Sequence, residues 1–197
     1  MEIFLNNFNF IWVNSLLAII AVLFGWLMLK PYSKFIRIFC GFLWFIFLPN
    51  TIYILTDISH LFEDWPKINT LFKIILLIQY SIFSTFGIIT FVVAVYFFQR
   101  VLEKRNPKSS TFLPICILNF LVGFAVILGG IERTNSWYIF TDPLRVIADV
   151  IDVFSSFEML ILTAGVGILA NVLYFLMLES IITWGKKIKP NKQAKKN

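Results

Sequence analysis

The sequence predicts an all-α integral membrane protein, a bundle of five transmembrane helices with one short amphipathic helix on its outer face. Composition, five long apolar stretches and an uneven distribution of Lys and Arg together predict this fold class. Of the 197 residues, 59% are hydrophobic and 14% are charged, against about 25% charged residues in a typical soluble domain. A soluble chain of this size would expose large apolar patches to water. The composition therefore excludes a soluble globular enzyme, a disordered chain and a disulfide-rich secreted module.

Five stretches are long enough to cross a membrane, because a hydrocarbon core of about 30 Å needs about 20 helical residues. They cover residues 10–29, 36–55, 71–98, 112–131 and 157–184. The third and fifth are longer than a straight span requires, which predicts tilt or protrusion. Short connections predict that successive helices pack as antiparallel neighbours. We therefore expect one transmembrane domain over residues 1–185 and a basic tail over residues 186–197.

Lys and Arg are concentrated at one side of this topology. Thirteen of the 17 lie around the ends of spans one, three and five, whereas nine of the 11 acidic residues lie on the other side. By the positive-inside rule, the N-terminus is outside and the C-terminus is in the cytoplasm of a multi-pass protein of the plasma membrane. The basic tail is expected to contact anionic membrane lipids. It lacks a nucleic-acid reading surface, so no nucleic-acid partner is predicted.

A row of polar residues ends the second span. Asn50, Tyr53, Asp57 and His60 follow one another at intervals of 3, 4 and 3 residues, which places them on one helix face. Pro49 lacks a backbone donor and predicts a helix kink that frees the carbonyl near residue 45. Two interpretations stay open, a polar seam that holds helices together and a ligand or catalytic site in which Asp57 and His60 are the candidate catalytic residues.

A second polar segment follows the fourth span and reads Gly-Gly-Ile-Glu-Arg-Thr-Asn-Ser-Trp over residues 129–137. Gly129 and Gly130 allow a break or a close helix approach. Arg133 then lies near the outer boundary, where it needs a carboxylate, a phosphate or water. Asp57 and Glu132 are the candidate protein partners, and lipid phosphate is the alternative. We predict that the two polar segments meet in space, with Arg133 close to Asp57.

These two segments carry a family resemblance. The string Leu-Pro-Asn-x-x-Tyr-x-x-Thr-Asp-x-x-His-Leu over residues 48–61 and the string Arg-x-Asn-Ser-Trp over residues 133–137 occur in this order. They resemble the bacterial membrane family catalogued as domain of unknown function 1361. The resemblance covers most of the chain and supports the location of the site. It implies no particular reaction, because the function of that family is unknown.

Two further elements are predicted outside these strings. Asp142 and Pro143 have the pattern of a helix N-cap followed by proline at the first helical position. The residues that follow are amphipathic, which predicts a short helix that covers the site or rests on lipid headgroups. Inside the membrane, isolated polar side chains are expected to form hydrogen bonds between helices. These are Asn119, Asn171, Ser81, Ser84 and Thr85.

The favoured functional hypothesis is an outward-facing site that binds or processes a lipid or another amphiphilic anionic ligand. Its predicted binding residues are Asn50, Tyr53, Glu132, Arg133, Asn135 and Trp137. Two alternatives stay open: a transporter component, and a structural or assembly subunit of a membrane complex. No metal site is predicted, because stable sites usually need three or four ligands. The sequence leaves enzymatic activity, cofactor and oligomeric state undecided.

Overall fold

The computed structural model describes residues 2–56, 61–62, 64–135 and 137–188, and the side chains of these residues except 2–10, 181 and 184–188. Helices dominate this part of the chain, and no β-strand occurs in it. A single 3-10 turn, Trp65–Lys67, lies before α4. The α-helices are α1 (Glu2–Met28), α2 (Lys34–Phe47), α3 (Pro49–Thr56), α4 (Thr70–Arg105), α5 (Phe112–Gly130), α6 (Tyr138–Thr141), α7 (Pro143–Ser155) and α8 (Phe157–Ile188).

Five helical segments are long and apolar enough to span a membrane, which confirms the predicted fold class. They are Ile11–Met28, Lys34–Thr56, Thr70–Arg105, Phe112–Gly130 and Phe157–Ser180, and each overlaps one predicted span. Large apolar side chains cover the outside of the bundle, with Phe35 80% exposed and Leu176 74% exposed. Such a surface is stable in lipid and would associate in water.

Helix α4 extends beyond the predicted end of the third span at residue 98. It contains 36 residues, or about 54 Å at a rise of 1.5 Å per residue, and its last turns are polar. Glu103 accepts hydrogen bonds from Gln99 Nε2 at 2.8 Å and from Arg100 Nη1 at 2.7 Å. Hydrophobicity predicts only the part of the helix that lies in lipid. The i,i+3 and i,i+4 contacts stabilise its continuation into water.

The second span packs against three other helices, α1, α4 and α5. Trp44 of α2 is buried, donates a hydrogen bond from Nε1 to the Ala94 carbonyl at 3.2 Å, and stacks on Phe98. The prediction that all successive spans are neighbours is wrong for spans three and four. Helix α5 packs mainly on α8 and α3, because its small and polar residues match those helices.

Helices α5 and α8 approach each other closely at Gly123. A Cβ atom built on Gly123 would lie 2.7 Å from both the Gly167 nitrogen and the Thr163 carbonyl oxygen. One turn away, Asn119 Nδ2 donates to Asn171 Oδ1 at 3.0 Å, which confirms the interhelical hydrogen bond predicted for these amides. The same prediction is wrong for Thr85, whose hydroxyl donates to the Ser81 carbonyl within its own helix.

The amphipathic helix after the fourth span is present as α7. Asp142 caps it by accepting the Arg145 backbone N–H, and Pro143 occupies its first turn. Its predicted apolar stripe faces outward, because Leu144, Ile147, Ile151 and Phe154 are all more than half exposed. Val153 is buried and packs against Ile127 and Leu128 of α5. The helix therefore attaches to the bundle through Val153 and through the ring of Phe154, which lies 5.0 Å from that of Phe124, and leaves most of its apolar stripe exposed.

The two ends of the bundle differ in charge. The basic end comprises residues 29–38 and 100–111, and the acidic end comprises residues 64–69 and 131–158. Orientation in the membrane stays a prediction from this asymmetry. We expect a cytoplasmic reporter fused after Asn197 to be active and a reporter inserted beside Lys67 to report the outside. Reporter activities in the reverse pattern would contradict the prediction.

Candidate functional site

The candidate site begins with a helix break in the second span. Pro49, which has no backbone N–H, follows Leu48, and side-chain hydrogen bonds here supplement the remaining backbone bonds from the Leu48 N–H to the Trp44 carbonyl and from the Thr51 N–H to the Leu48 carbonyl. Asn50 Nδ2 donates to the Phe47 carbonyl at 3.1 Å, and the Thr51 hydroxyl donates to the Leu48 carbonyl at 2.7 Å. The Asn50 bond gives the Phe47 carbonyl a donor inside the span, and the Thr51 hydroxyl adds a second donor to the Leu48 carbonyl, which also accepts the Thr51 N–H. The structure interrupts the helix at Leu48, directly before Pro49, where the sequence predicted a kink, and the polar side chains that follow contribute hydrogen bonds there.

Helix α5 ends beside α3, and the chain then turns back. Of the two alternatives predicted for Gly129 and Gly130, the structure has the close helix approach: both glycines remain helical, and a Cβ atom built on Gly129 would lie 3.5 Å from the Tyr53 ring. The reversal occurs at Arg133, which has a left-handed φ of 55°. This turn lets the Thr134 N–H donate to the Leu128 carbonyl at 3.1 Å. A non-glycine residue in this conformation costs about 1–2 kcal/mol, and such strain is frequent at binding sites.

The two polar strings meet at this point. The Tyr53 hydroxyl of α3 donates to the Gly129 carbonyl of α5 at 3.4 Å. Around this contact lies a cavity of about 380 Å³. Its described lining residues come from four parts of the chain: Val13, Asn14 and Leu17 of α1, Pro49, Asn50 and Tyr53 of α3, Ala125 and Gly129 of α5, and the segment residues Thr134, Asn135 and Trp137.

The structure brings together four of the predicted binding residues. Asn50, Tyr53, Asn135 and Trp137 line this cavity. Arg133 and Glu132 are not among its lining residues; Arg133 is exposed and Glu132 is half-buried. The predicted catalytic residues Asp57 and His60 lie outside the described residues, and with them the predicted contact between Asp57 and Arg133.

Several residues that line the cavity were not predicted. Val13, Asn14 and Leu17 form one wall of the cavity, and Asn14 is an amide inside the first span, which is the only sequence signal among them. Thr134 lines the cavity and donates a hydrogen bond from its hydroxyl to Asp149 of α7. Asp149 also lies 3.8 Å from Arg145, and its side chain is 13% exposed. Helix α7 therefore holds the segment that carries Thr134, Asn135 and Trp137.

The chemistry of the described lining is polar but uncharged. Three amides, a phenol, a hydroxyl and an indole face an otherwise apolar wall. Cavities of about 300–1,000 Å³ with few polar groups on apolar walls are typical of small-molecule sites. Among the described residues, no group of three or more His, Cys, Asp or Glu side chains could hold a metal ion.

The five spanning helices and the cavity near one end of the bundle define a multi-pass integral membrane protein with a candidate binding site. Residues 12–173 match the family described as Protein of unknown function (DUF1361), and the chain belongs to this family. No curated protein and no solved structure matches the chain. The family match covers both polar strings and every described residue that lines the cavity.

Proposed function

We propose that this protein binds an amphiphilic molecule of the lipid class in the cavity at its acidic end, on the extracytoplasmic side of the plasma membrane. The observation that supports the proposal is the meeting of the two polar strings. Residues about 80 positions apart in the sequence line one cavity that combines amide and hydroxyl groups with an apolar wall. An amphiphile needs both kinds of surface at once.

The position of the cavity favours a ligand that enters from the lipid. Helices α1 and α5 both pack on α3, and residues of all three helices line the cavity. Two of its lining residues are also part of the surface, since Val13 is 45% exposed and Trp137 is 44% exposed. A volume of about 380 Å³ is small for a whole lipid. The cavity therefore takes the polar group and the adjoining chain, while the remainder lies along the bundle.

The charge of the ligand is inferred from the turn at the mouth of the cavity. Arg133 directly precedes Thr134, a lining residue, so their Cα atoms are about 3.8 Å apart. Its side chain is exposed, and a guanidinium group binds phosphate or carboxylate through paired hydrogen bonds. We therefore favour an anionic amphiphile whose charged group lies outside the cavity and whose neutral polar groups lie within it.

A small-to-large substitution tests this proposal. Ala125 is half-buried and lines the cavity, so Ala125→Phe places a ring in the space that the ligand needs. We expect the amount of co-purified amphiphile to fall by a factor of about ten or more relative to the wild type. A steric cost of about 1.4 kcal/mol is enough to weaken binding tenfold. Native mass spectrometry, followed by organic extraction and identification of the retained molecule, measures the effect.

The matched control is Ala164→Phe, which makes the same change at an exposed position of α8. It is expected to retain the molecule at the wild-type level. Equal retention in both variants, or a wild-type protein that retains no amphiphile after purification in detergent, would contradict the proposal.

A structural role for the two strings has its own supporting observation. Several of their polar groups make hydrogen bonds within the protein, among them Tyr53 to Gly129, Asn50 to Phe47 and Thr134 to Asp149. If these bonds were the whole purpose of the strings, Tyr53→Phe would lower stability and no variant would change ligand retention. The transporter alternative stays a prediction from the sequence.

A further inference from the structure

A second cavity lies at the basic end of the bundle, and it shares no described lining residue with the first. It has a volume of about 910 Å³ and lies between the connection from α1 to α2 and the last turns of α4. Five of its described lining residues are cationic: Lys30, Lys34, Arg37, Lys104 and Arg105. None of its described lining residues is acidic. We call this cavity the basic groove.

Part of this positive charge stabilises the fold. Arg37 Nε donates a hydrogen bond to the Met28 carbonyl at 3.2 Å, and Lys104 Nζ donates one to the Leu29 carbonyl at 3.5 Å. Both contacts neutralise carbonyls at the C-terminal end of α1. Lys30 packs over the Trp26 ring, with Nζ 3.8 Å from the centroid.

Two further cations of the groove make no such contact with the described part of the protein. Lys34 and Arg105 are both exposed, and neither forms an ion pair with a carboxylate in the part of the chain that the structure describes. The nearest acidic residue along α4 is Glu103, which already accepts from Arg100 and Gln99. Like charges held around one cavity repel each other unless an anion lies between them.

The surroundings of the groove indicate what kind of anion this is. Its floor is apolar, formed by Met28, Leu29 and Val101, and the exposed Ile38 stands at its edge. From there an uninterrupted apolar stripe runs along α2 toward the membrane centre. Its members share one helix face and are all exposed: Phe35, Ile38, Phe39 and Phe42. A headgroup in the groove would thus place its acyl chains along this stripe.

We propose that the basic groove binds the phosphate headgroup of an anionic phospholipid, with its acyl chains along α2. Basic pockets between membrane helices recognise such headgroups, and each nearby Lys or Arg contributes about 1 kcal/mol. Helix α2 begins in the groove at Lys34 with Ser33 as its N-cap, so the positive end of its dipole adds to the field of the cations. This site is separate from the cavity of the proposed function, and neither proposal depends on the other.

Removal of the two exposed cations tests the groove. The full chain, purified and delipidated in an uncharged detergent, is titrated with dioctanoyl phosphatidylglycerol, and the lipid-dependent rise in unfolding temperature gives an apparent Kd. The double variant Lys34→Gln with Arg105→Gln is expected to bind roughly 30-fold more weakly, which corresponds to about 2 kcal/mol at 1.4 kcal/mol per tenfold.

The control is the double variant Lys67→Gln with Lys73→Gln, which removes the same charge at the acidic end. We expect it to bind phosphatidylglycerol as the wild type does. The exchange variant Lys34→Arg with Arg105→Lys keeps the charge and is expected to keep binding, which separates loss of charge from loss of folding. Equal weakening by both double variants would overturn the proposal.

Two ligand comparisons on the wild-type protein test the proposal without any variant. Dioctanoyl phosphatidylcholine has the same chains and no net charge, and it is expected not to raise the unfolding temperature at the concentrations where phosphatidylglycerol does. An equal effect of the two lipids would overturn the proposal. Inorganic phosphate as effective as phosphatidylglycerol would overturn it too, since the groove would then be a site for free anions.

Discussion

Gly123→Ala is expected to lower the free energy of unfolding by about 2–3 kcal/mol, although alanine favours a helix over glycine by about 1 kcal/mol. The added Cβ would lie 2.7 Å from the Gly167 nitrogen and the Thr163 carbonyl oxygen. Both are backbone atoms of α8 and cannot rotate away, so α5 and α8 must separate. Association of membrane helices depends on such close packing, because lipid offers no hydrophobic driving force between them.

The separation would also weaken the polar contact one turn away. Asn119 is fully buried and its Nδ2 donates to Asn171 Oδ1 at 3.0 Å. Hydrogen bonds between membrane helices are worth about 0.6 kcal/mol on average and up to about 1.7 kcal/mol. Loss of this bond therefore accounts for a part of the expected effect, and the steric overlap accounts for the rest.

Unfolding of the purified protein in mixed micelles, followed by circular dichroism, measures the change. The control Gly165→Ala adds the same methyl group to α8 where nothing lies within 4 Å of the new Cβ. It is expected to leave stability unchanged or to raise it by up to about 1 kcal/mol. If Gly123→Ala were as stable as Gly165→Ala, the close packing of α5 on α8 would be contradicted.

The five spans could be predicted because the bilayer imposes a minimum length and apolarity on every helix that crosses it. Local chemistry also predicted the start of α7, since Asp142 and Pro143 have a specific role in a helix cap. The end of α4 could not be predicted from hydropathy. Its last turns, up to Arg105, are held by contacts among polar side chains, and these have no hydrophobic signal.

Neighbour relations among the spans were harder to predict. Lipid-facing and helix-facing residues are both apolar, so the sequence does not separate them by hydrophobicity. The pairing of α5 with α8 depends on two glycines and two asparagines whose match is visible only when the helices are placed side by side. The expectation that α5 would pack on α4, its neighbour in the chain, was wrong for this reason.

The candidate site was predicted in part. The polarity of the two strings identified Asn50, Tyr53, Asn135 and Trp137, which line one cavity. The wall from α1 could not be predicted, because Val13 and Leu17 resemble any other lipid-facing residues of that span. The turn at Arg133 was not predicted, because a non-glycine residue with a left-handed φ has no signal in the sequence.

Replacement of Asp149 is expected to lower stability more than the position of this residue on a short surface helix would suggest. It accepts a hydrogen bond from the Thr134 hydroxyl, and its side chain is 13% exposed. Asp149→Ala is expected to lower the free energy of unfolding by about 2 kcal/mol, within the range of about 1.5–3 kcal/mol for hydrogen bonds to charged groups. The nearby Arg145 is half-exposed at 3.8 Å and adds little to this figure.

Asp149→Ala should also affect ligand binding in the cavity. Thr134, Asn135 and Trp137 all line it, and the bond to Asp149 attaches their segment to α7. We therefore expect Asp149→Ala to retain less co-purified amphiphile than the wild type, whereas Asp152→Ala, which removes an exposed carboxylate of the same helix, retains as much. Thr134→Val should lower stability to a similar extent, and the double variant should add little, because both changes remove one bond. Additive effects of the two changes, or equal retention by Asp149→Ala and Asp152→Ala, would mean that α7 does not position the segment.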